Sequence, residues 1–227
     1  MPYSIEPNTK AVIFDAYGTL FDVHSAVARH AERIGPEAAR LSEIWRAKQL
    51  EYSWVLSLAQ RYEPFWRLTE RALDYAFARC PSADRSVGPL LLEAYRSLDC
   101  YPEVPALLDA LRATGLETGI LSNGDLPMLG DAIASAGLAG RLDAILSVDS
   151  VKTFKTSPRT YDLVLAALQM APSEVVFVSS NRWDIAGASA FGFVTVWVNR
   201  AGLPDEYPGL EPDGVVADLS EITPPRT

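Results

Sequence analysis

Four stretches of this 227-residue chain place polar, reactive side chains directly behind apolar runs. Asp15, Tyr17 and Thr19 follow Val12-Ile13-Phe14. Ser122-Asn123-Gly124-Asp125 ends a second run, and Lys155 lies beyond a third, "AILSV". Ser179-Ser180-Asn181-Arg182-Trp183-Asp184 ends a fourth, "EVVFVS". A carboxylate can serve as a covalent nucleophile, and a nearby lysine keeps it ionised by favouring the charged form. Taken singly, each residue has a plain reading: Asp15 as a loop acid capping a turn, Lys155 as a solvated lysine. Chemistry follows only if the four stretches meet.

The elements that carry them say where they meet. "AVIF" (11–14), "TGILS" (118–122), "AILSV" (144–148), "EVVFVS" (174–179) and "VTVWV" (194–198) read as strands buried on both faces. Between them, 104–115, 126–137, 157–168 and 184–192 carry apolar residues at helical spacing. Glycines at 115, 137 and 192 mark helix ends, and Ser157-Pro158 reads as a cap followed by a first-turn proline. Strand and helix in alternation predict a parallel sheet covered on both faces. Such sheets bind ligands outside the carboxyl ends of their strands, where all four stretches lie.

Residues 23–100 break the rhythm. Four helical patterns and no strand are read there, which suggests a cap inserted over one end of the sheet. The expected division is a Rossmann-like α/β core at 11–22 and 101–222, a helical cap at 23–100, and tails at 1–10 and 223–227, with a further strand candidate at "GVVADL" (214–219). A core of this size needs no staples. A net charge of −9 argues against nucleic acid or an anionic membrane as partner. An anionic substrate would then need local cations. Two cysteines without a CxxC pair and two histidines offer no zinc pattern. The opening "MPYSIEPNTK" has no apolar core, and no run approaches membrane-spanning length. A reduced, cytoplasmic setting with free thiols is expected.

"DAYGTLFD", "LSNG", the lysine in "FKTSPRTY" and "SSNRWD" resemble, in order and spacing, the four motifs of the haloacid dehalogenase superfamily. Within it the chain is most similar to the L-2-haloacid dehalogenases, over nearly its whole length and including the cap stretch "WRAKQLEYSW". Phosphatases of the superfamily usually carry a second aspartate two residues after the nucleophile, to protonate the leaving oxygen. Tyr17 stands there. A halide leaves as a stable anion and needs no proton, whereas general acid help is worth roughly 10²–10⁴-fold in ester cleavage. Phosphatases also hold magnesium through an acid pair in the fourth motif, where Ser180 replaces the first acid and Asp184 remains. A hard cation wants several anionic oxygens, so no metal or other cofactor is expected.

The resemblance implies a role for each residue. Asp15 displaces halide from Cα to give an ester that water opens, with Lys155 holding it ionised. Thr19 hydrogen-bonds Asp15 or only closes the turn. Ser122 and backbone amides near Ala16, Tyr17 and Asn123 bind the substrate carboxylate, since N–H groups at helix starts suit anions. Ser179, Asn181 and Asp184 position the hydrolytic water and steady Lys155, and Asp184 also reads as a helix N-cap. Arg46 shares a helix face with Leu50 and Trp54. A surface arginine is its plain reading, and a halide cradle with Asn123 and Trp183 is the implied one. Tyr17, Leu50, Phe65, Trp183 and Tyr161 line the alkyl pocket; core packing is the alternative for Phe65, and for Tyr161 a hydrogen bond near Asp15 or an ordinary amphipathic helix position. Thr156 stands where many members have proline. Asp22, Cys80 and Cys100 receive no role, and His24 and His30 read as structural or exposed.

The expected reaction is hydrolysis of an (S)-2-haloalkanoate to the (R)-2-hydroxyalkanoate and halide, by a homodimer joined through cap helices. Two rivals remain at this level: a magnesium-dependent phosphatase of the same superfamily, and a non-catalytic anion-binding protein.

Overall fold

A computed structural model describes residues 2–225. The chain begins with β1 (Tyr3–Ser4) and β2 (Ala11–Phe14). It then forms only helices: α1 (Ser25–Ala28), α2 (Ala31–Ile34), α3 (Ala38–Leu58), α4 (Phe65–Arg79) and α5 (Gly88–Arg96). Alternation follows, through α6 (Val104–Ala113), β3 (Glu117–Ser122), α7 (Leu126–Ser135), β4 (Ala144–Ser147), α8 (Pro158–Leu168), β5 (Val175–Ser179), α9 (Arg182–Phe191) and β6 (Val194–Val198). Two short strands, β7 (Gly214–Val216) and β8 (Ile222–Thr223), complete it.

Six strands form one parallel sheet in the order β4-β3-β2-β5-β6-β7. With neighbours on both sides and both faces covered, β2 is apolar at every position. The register sets Phe14 beside Ile120 and Val178, so the residues after β2, β3 and β5 emerge at one edge. Asp15 extends the ladder by donating its amide to Val178 O at 2.9 Å.

Several expectations change in detail. The strand at 144–148 was expected to be buried on both faces, but β4 is only partly buried because it is the sheet's edge, paired with β3 alone. The strand expected over 214–219 stops at Val216 and gives way to a 3₁₀ turn. The first cap helix is two four-residue turns, parted at His30, whose backbone (φ −120°, ψ 13°) leaves the helical region. Residues read as tails include β1 and part of β8, which pair in parallel. The rest of that reading, at 1 and 226–227, lies outside the described residues.

The helical insert leaves and rejoins the sheet by adjacent strands of chain, with Asp22 N donating to Asp99 O and Tyr101 N to Leu20 O. Its longest helices, α3 and α4, are keyed together by a buried polar network. Trp45 Nε1 donates to Thr69 O and Gln49 Nε2 to Thr69 Oγ1, each at 2.9 Å, and Tyr95 Oη reaches Gln49 Oε1 at 3.3 Å. Buried polar groups need such partners, so the network fixes the register of the helix that carries Arg46. Cys80 and Cys100 are free thiols. Among the described residues, no helix is long and apolar enough to cross a membrane.

Gly119 sits in the interior of β3, where another backbone passes close. A Cβ there would lie 2.9 Å from Ala144 O and 3.0 Å from Ile13. Gly119→Ala should therefore cost about 1–3 kcal/mol by overpacking, read as a lower urea midpoint. An unchanged midpoint would mean that β3 and β4 have room to separate.

Candidate active site

Asp15 stands at the end of the central strand, its side chain 7% exposed. Lys155 Nζ lies 3.1 Å from its Oδ1, while Thr19 Oγ1 at 3.1 Å and Asn181 Nδ2 at 2.8 Å donate to Oδ2. The Lys155 ammonium is also 2.7 Å from Asp184 Oδ2, and Tyr161 Oη donates to Asp184 Oδ1 at 2.8 Å. One buried cation thus bridges two buried carboxylates. Burial works against the lysine's charge, but Asp15 and Asp184 outweigh it and hold Lys155 above its ordinary range. Burial, opposed by Lys155 and reinforced by repulsion from Asp15, raises the Asp184 carboxyl to about 6.

Asn181, not Asp184, is the N-cap residue of α9, and Asp184 lies in its first turn. The capping role read for Asp184 is therefore corrected: its carboxylate turns inward to the ion pair. Thr19 fills both roles considered for it. Its amide closes the turn onto Ala16 O, and its hydroxyl donates to Asp15 while accepting the Ser180 amide at 2.9 Å. No helix start follows β2. Ala16 O instead accepts the amides of Thr19, Leu20 and Phe21, so residues 16 and 17 lie on a turn.

Arg46 crosses from α3 to donate to Tyr17 O at 3.0 Å and Asn181 Oδ1 at 3.4 Å. The surface reading is thereby replaced by a contact with two of the strand-end loops. Asn123 Oδ1 accepts the Lys155 amide at 3.0 Å, Ser122 Oγ that of Gly124 at 3.0 Å, and Ser179 Oγ that of Asn181 at 3.1 Å. All three residues are buried, and each braces a loop of the site. The peptide joining Lys155 to Thr156 is cis.

Tyr17 is flanked by Phe65 (ring centroids 6.5 Å apart) and Tyr95 (5.7 Å). Its buried hydroxyl has no hydrogen-bond partner among the described residues, and burial pushes that phenol well above its usual range. Leu50 is half-buried one turn beyond Arg46 on α3. Trp183 meets Trp54 edge-on at 5.5 Å, and both line an open cleft of about 880 Å³ with Phe154, Thr156 and Leu58. Tyr161 does not line open space. It is fully buried, its ring packs among Phe177, Phe191 and Phe193, and its hydroxyl serves Asp184. That corrects its reading as a pocket wall. Sequence reasoning also missed Tyr95 and Phe154. Each sits in an apolar pattern that announces only core, and the neighbouring ring is set by a distant segment.

The chain matches the haloacid dehalogenase-like hydrolase family over residues 9–192. It is 47% identical to (S)-2-haloacid dehalogenase 1 of Pseudomonas sp. (strain CBS-3), over 94% of both chains. A solved dehalogenase structure superposes with a TM-score of 0.93 at 43% identity, covering 96% of each chain. An L-2-haloacid dehalogenase from Xanthobacter autotrophicus with chloropropionic acid covalently bound gives 0.84 at 36% identity, over 94% of this chain and 96% of that one.

Lys155→Met would leave two buried carboxylates facing each other without their cation. Breaking such a pair costs about 3–5 kcal/mol, expected here at pH 7.5. Without the ammonium that opposes them, burial and repulsion from Asp15 would raise the Asp184 carboxyl further above the unfolded value of about 3.9. Protonation would favour the folded variant, so the lost stability returns as pH falls. Urea unfolding at pH 7.5 and pH 5 should show the gap to the parent protein closing. A gap independent of pH would contradict the pairing.

Proposed function

This chain belongs to the haloacid dehalogenase-like hydrolase family, and from that premise we propose that it is an (S)-2-haloacid dehalogenase, a hydrolase of carbon–halide bonds. The observation that carries the reading is the Asp15–Lys155–Asp184 cluster with Tyr17, and no acid, two residues beyond Asp15. Asp15 has one carboxylate oxygen held by Lys155 and the other by Thr19 and Asn181. Held on both sides, it is a fixed anion able to attack Cα in line and expel halide, which leaves with the bonding electrons and takes no proton. Arg46, with Asn123 and Trp183, is assigned to the cradle that meets the departing anion. Ser122 and nearby backbone amides receive the substrate carboxylate.

The ester is then opened by water at the Asp15 carbonyl carbon. Ser179, Asn181 and Asp184 are assigned to position that water, and Lys155 to stabilise the carboxylate that re-forms. Configuration at Cα inverts once, so an (S)-2-haloalkanoate gives the (R)-2-hydroxyalkanoate. Tyr17, Leu50, Phe65 and Trp183 shape the alkyl pocket, in a core at 11–22 and 101–222 under a cap at 23–100. A magnesium-dependent phosphatase fits less well. Tyr17 supplies no acid two residues beyond Asp15, and Ser180, where the first acid of the fourth motif is usual, donates its hydroxyl to Gly18 O. The reading extends to a cytoplasmic homodimer joined through the cap, supported by the exposed apolar Trp54, Val55 and Leu58 on α3.

A single turnover of L-2-chloropropionate in ¹⁸O-water should label the Asp15 peptide and leave the first product unlabelled. Label in the product with none in Asp15 would show direct attack by water and sink the ester mechanism. Asp15→Asn should abolish turnover. As pH falls through about 6, the cluster takes up a proton at Asp184 and slackens its hold on Lys155. The kcat/KM profile should therefore show an acid limb near that value, and a flat profile from pH 8 to 5 would refute this assignment.

A further inference from the structure

Asp125 ends the Ser122-Asn123-Gly124-Asp125 stretch, and the reaction assigns it no part. It occupies the N-cap position of α7 with extended backbone (φ −68°, ψ 153°), yet its side chain makes no capping bond to that helix. The carboxylate crosses to the helical insert instead. Oδ1 accepts the amide of Phe65 at 2.8 Å, and Oδ2 that of Trp66 at 3.1 Å. These are the first two residues of α4, whose own N-cap residue, Pro64, makes no side-chain cap. The first amides of a helix have no partner within it, and a carboxylate placed there meets both the amides and the positive end of the helix dipole. A loop of the sheet thus supplies a cap that the sequence of α4 lacks.

The contact joins the catalytic loops to the cap where the cap touches the pocket. Phe65 is buried against Tyr17 and lies edge-on to Phe154, the residue before Lys155. Behind it, Thr69 of α4 receives Trp45 and Gln49 of α3, the helix that carries Arg46. Besides Arg46 at the site and the backbone bonds where the insert leaves and rejoins the sheet, links run through side chains at the margins: Tyr62 Oη to Asp149 at 2.8 Å, and Arg96 to Asp131 at 2.9 Å, with Arg96 stacked over Trp66. Phe154 N donates to Ser57 Oγ on the far side. Asp125 grips backbone at the start of α4, so it fixes that helix along its axis as a flexible side-chain pair does not.

We propose that Asp125 is a positioning residue that clamps the cap onto the active site by capping α4 from the sheet side, and so sets the distance of Phe65 from Tyr17. Its kinetic consequences rest on the dehalogenase reading; the clamp itself does not. A loosened cap lets Phe65 move away from the bound alkyl group, which weakens ground-state and transition-state binding alike and so raises KM while leaving the chemical step intact. Because Phe65 faces the alkyl group, the penalty should grow with chain length.

The test compares Asp125→Ala and Asp125→Asn with the parent protein on chloroacetate, L-2-chloropropionate and L-2-chlorobutanoate, together with hydrogen exchange of the Phe65 and Trp66 amides. For Asp125→Ala, KM should rise about tenfold on the butanoate and about twofold on chloroacetate, with kcat within about threefold. Asp125→Asn keeps one acceptor oxygen and should recover roughly half of the logarithmic change. Both amides should exchange at least about ten times faster in Asp125→Ala, with β2 and β5 unaffected. Equal KM changes on all three substrates, or amides of α4 and the sheet accelerating together, would overturn the proposal. If the parent protein turns over none of the three acids, the functional reading fails, and unchanged exchange at Phe65 and Trp66 would still separately overturn the clamp.

Discussion

Everything in this site is arranged around one buried ammonium between two buried carboxylates. Lys155 has no exposed side-chain surface and lies 3.1 Å from Asp15 and 2.7 Å from Asp184. A charge taken out of water is costly unless it is paired and its hydrogen bonds are satisfied. Two anions around one cation leave a net negative charge, which the surrounding donors must carry. Thr19 and Asn181 donate to Asp15, and Tyr161 donates to Asp184. The loops that hold these donors are themselves braced by Ser122, Asn123, Ser179 and Ser180. Their positions follow from the need to keep the three charges in place.

Two positions beside this cluster are not acids: Tyr17 stands two residues after Asp15, and Ser180 directs its hydroxyl to a backbone carbonyl. Tyr17 contributes no proton acceptor or donor of the strength a carboxyl would give, since burial keeps its phenol protonated. An anion that leaves without a proton is the leaving group such a site suits.

The helical insert is the second half of the design. Alone, the sheet edge would expose Asp15 to water. The insert closes over it through α3 and α4, bringing Arg46 to the carbonyl of Tyr17 and Phe65 to its ring. The trans cap at Asp125 and the polar network around Thr69 give that closure a defined register. Aromatic packing supplies area without direction; the hydrogen bonds supply direction.

Much of this was legible in the sequence, for identifiable reasons. Apolar runs alternating with helical periods require a covered parallel sheet, and strand ends then gather Asp15, Asn123, Lys155 and Asn181 at one edge. Tyr17 and Ser180, by not being acids, spoke about the chemistry before any distance was known. Other features were decided only by tertiary structure. Asp184 lies near a helix start and reads from the sequence as its cap, while Asp125, just before another helix, receives no role there. Folding turns Asp184 inward to Lys155 and sends Asp125 across to another helix, because each carboxylate goes to the nearest uncompensated positive charge or amide. Tyr161 looked like a pocket wall until Phe177, Phe191 and Phe193 closed around it. Local pattern determines which residues face inward. Which distant group each inward residue meets is set by strand order and by the insert's docking, and no spacing along the chain encodes that.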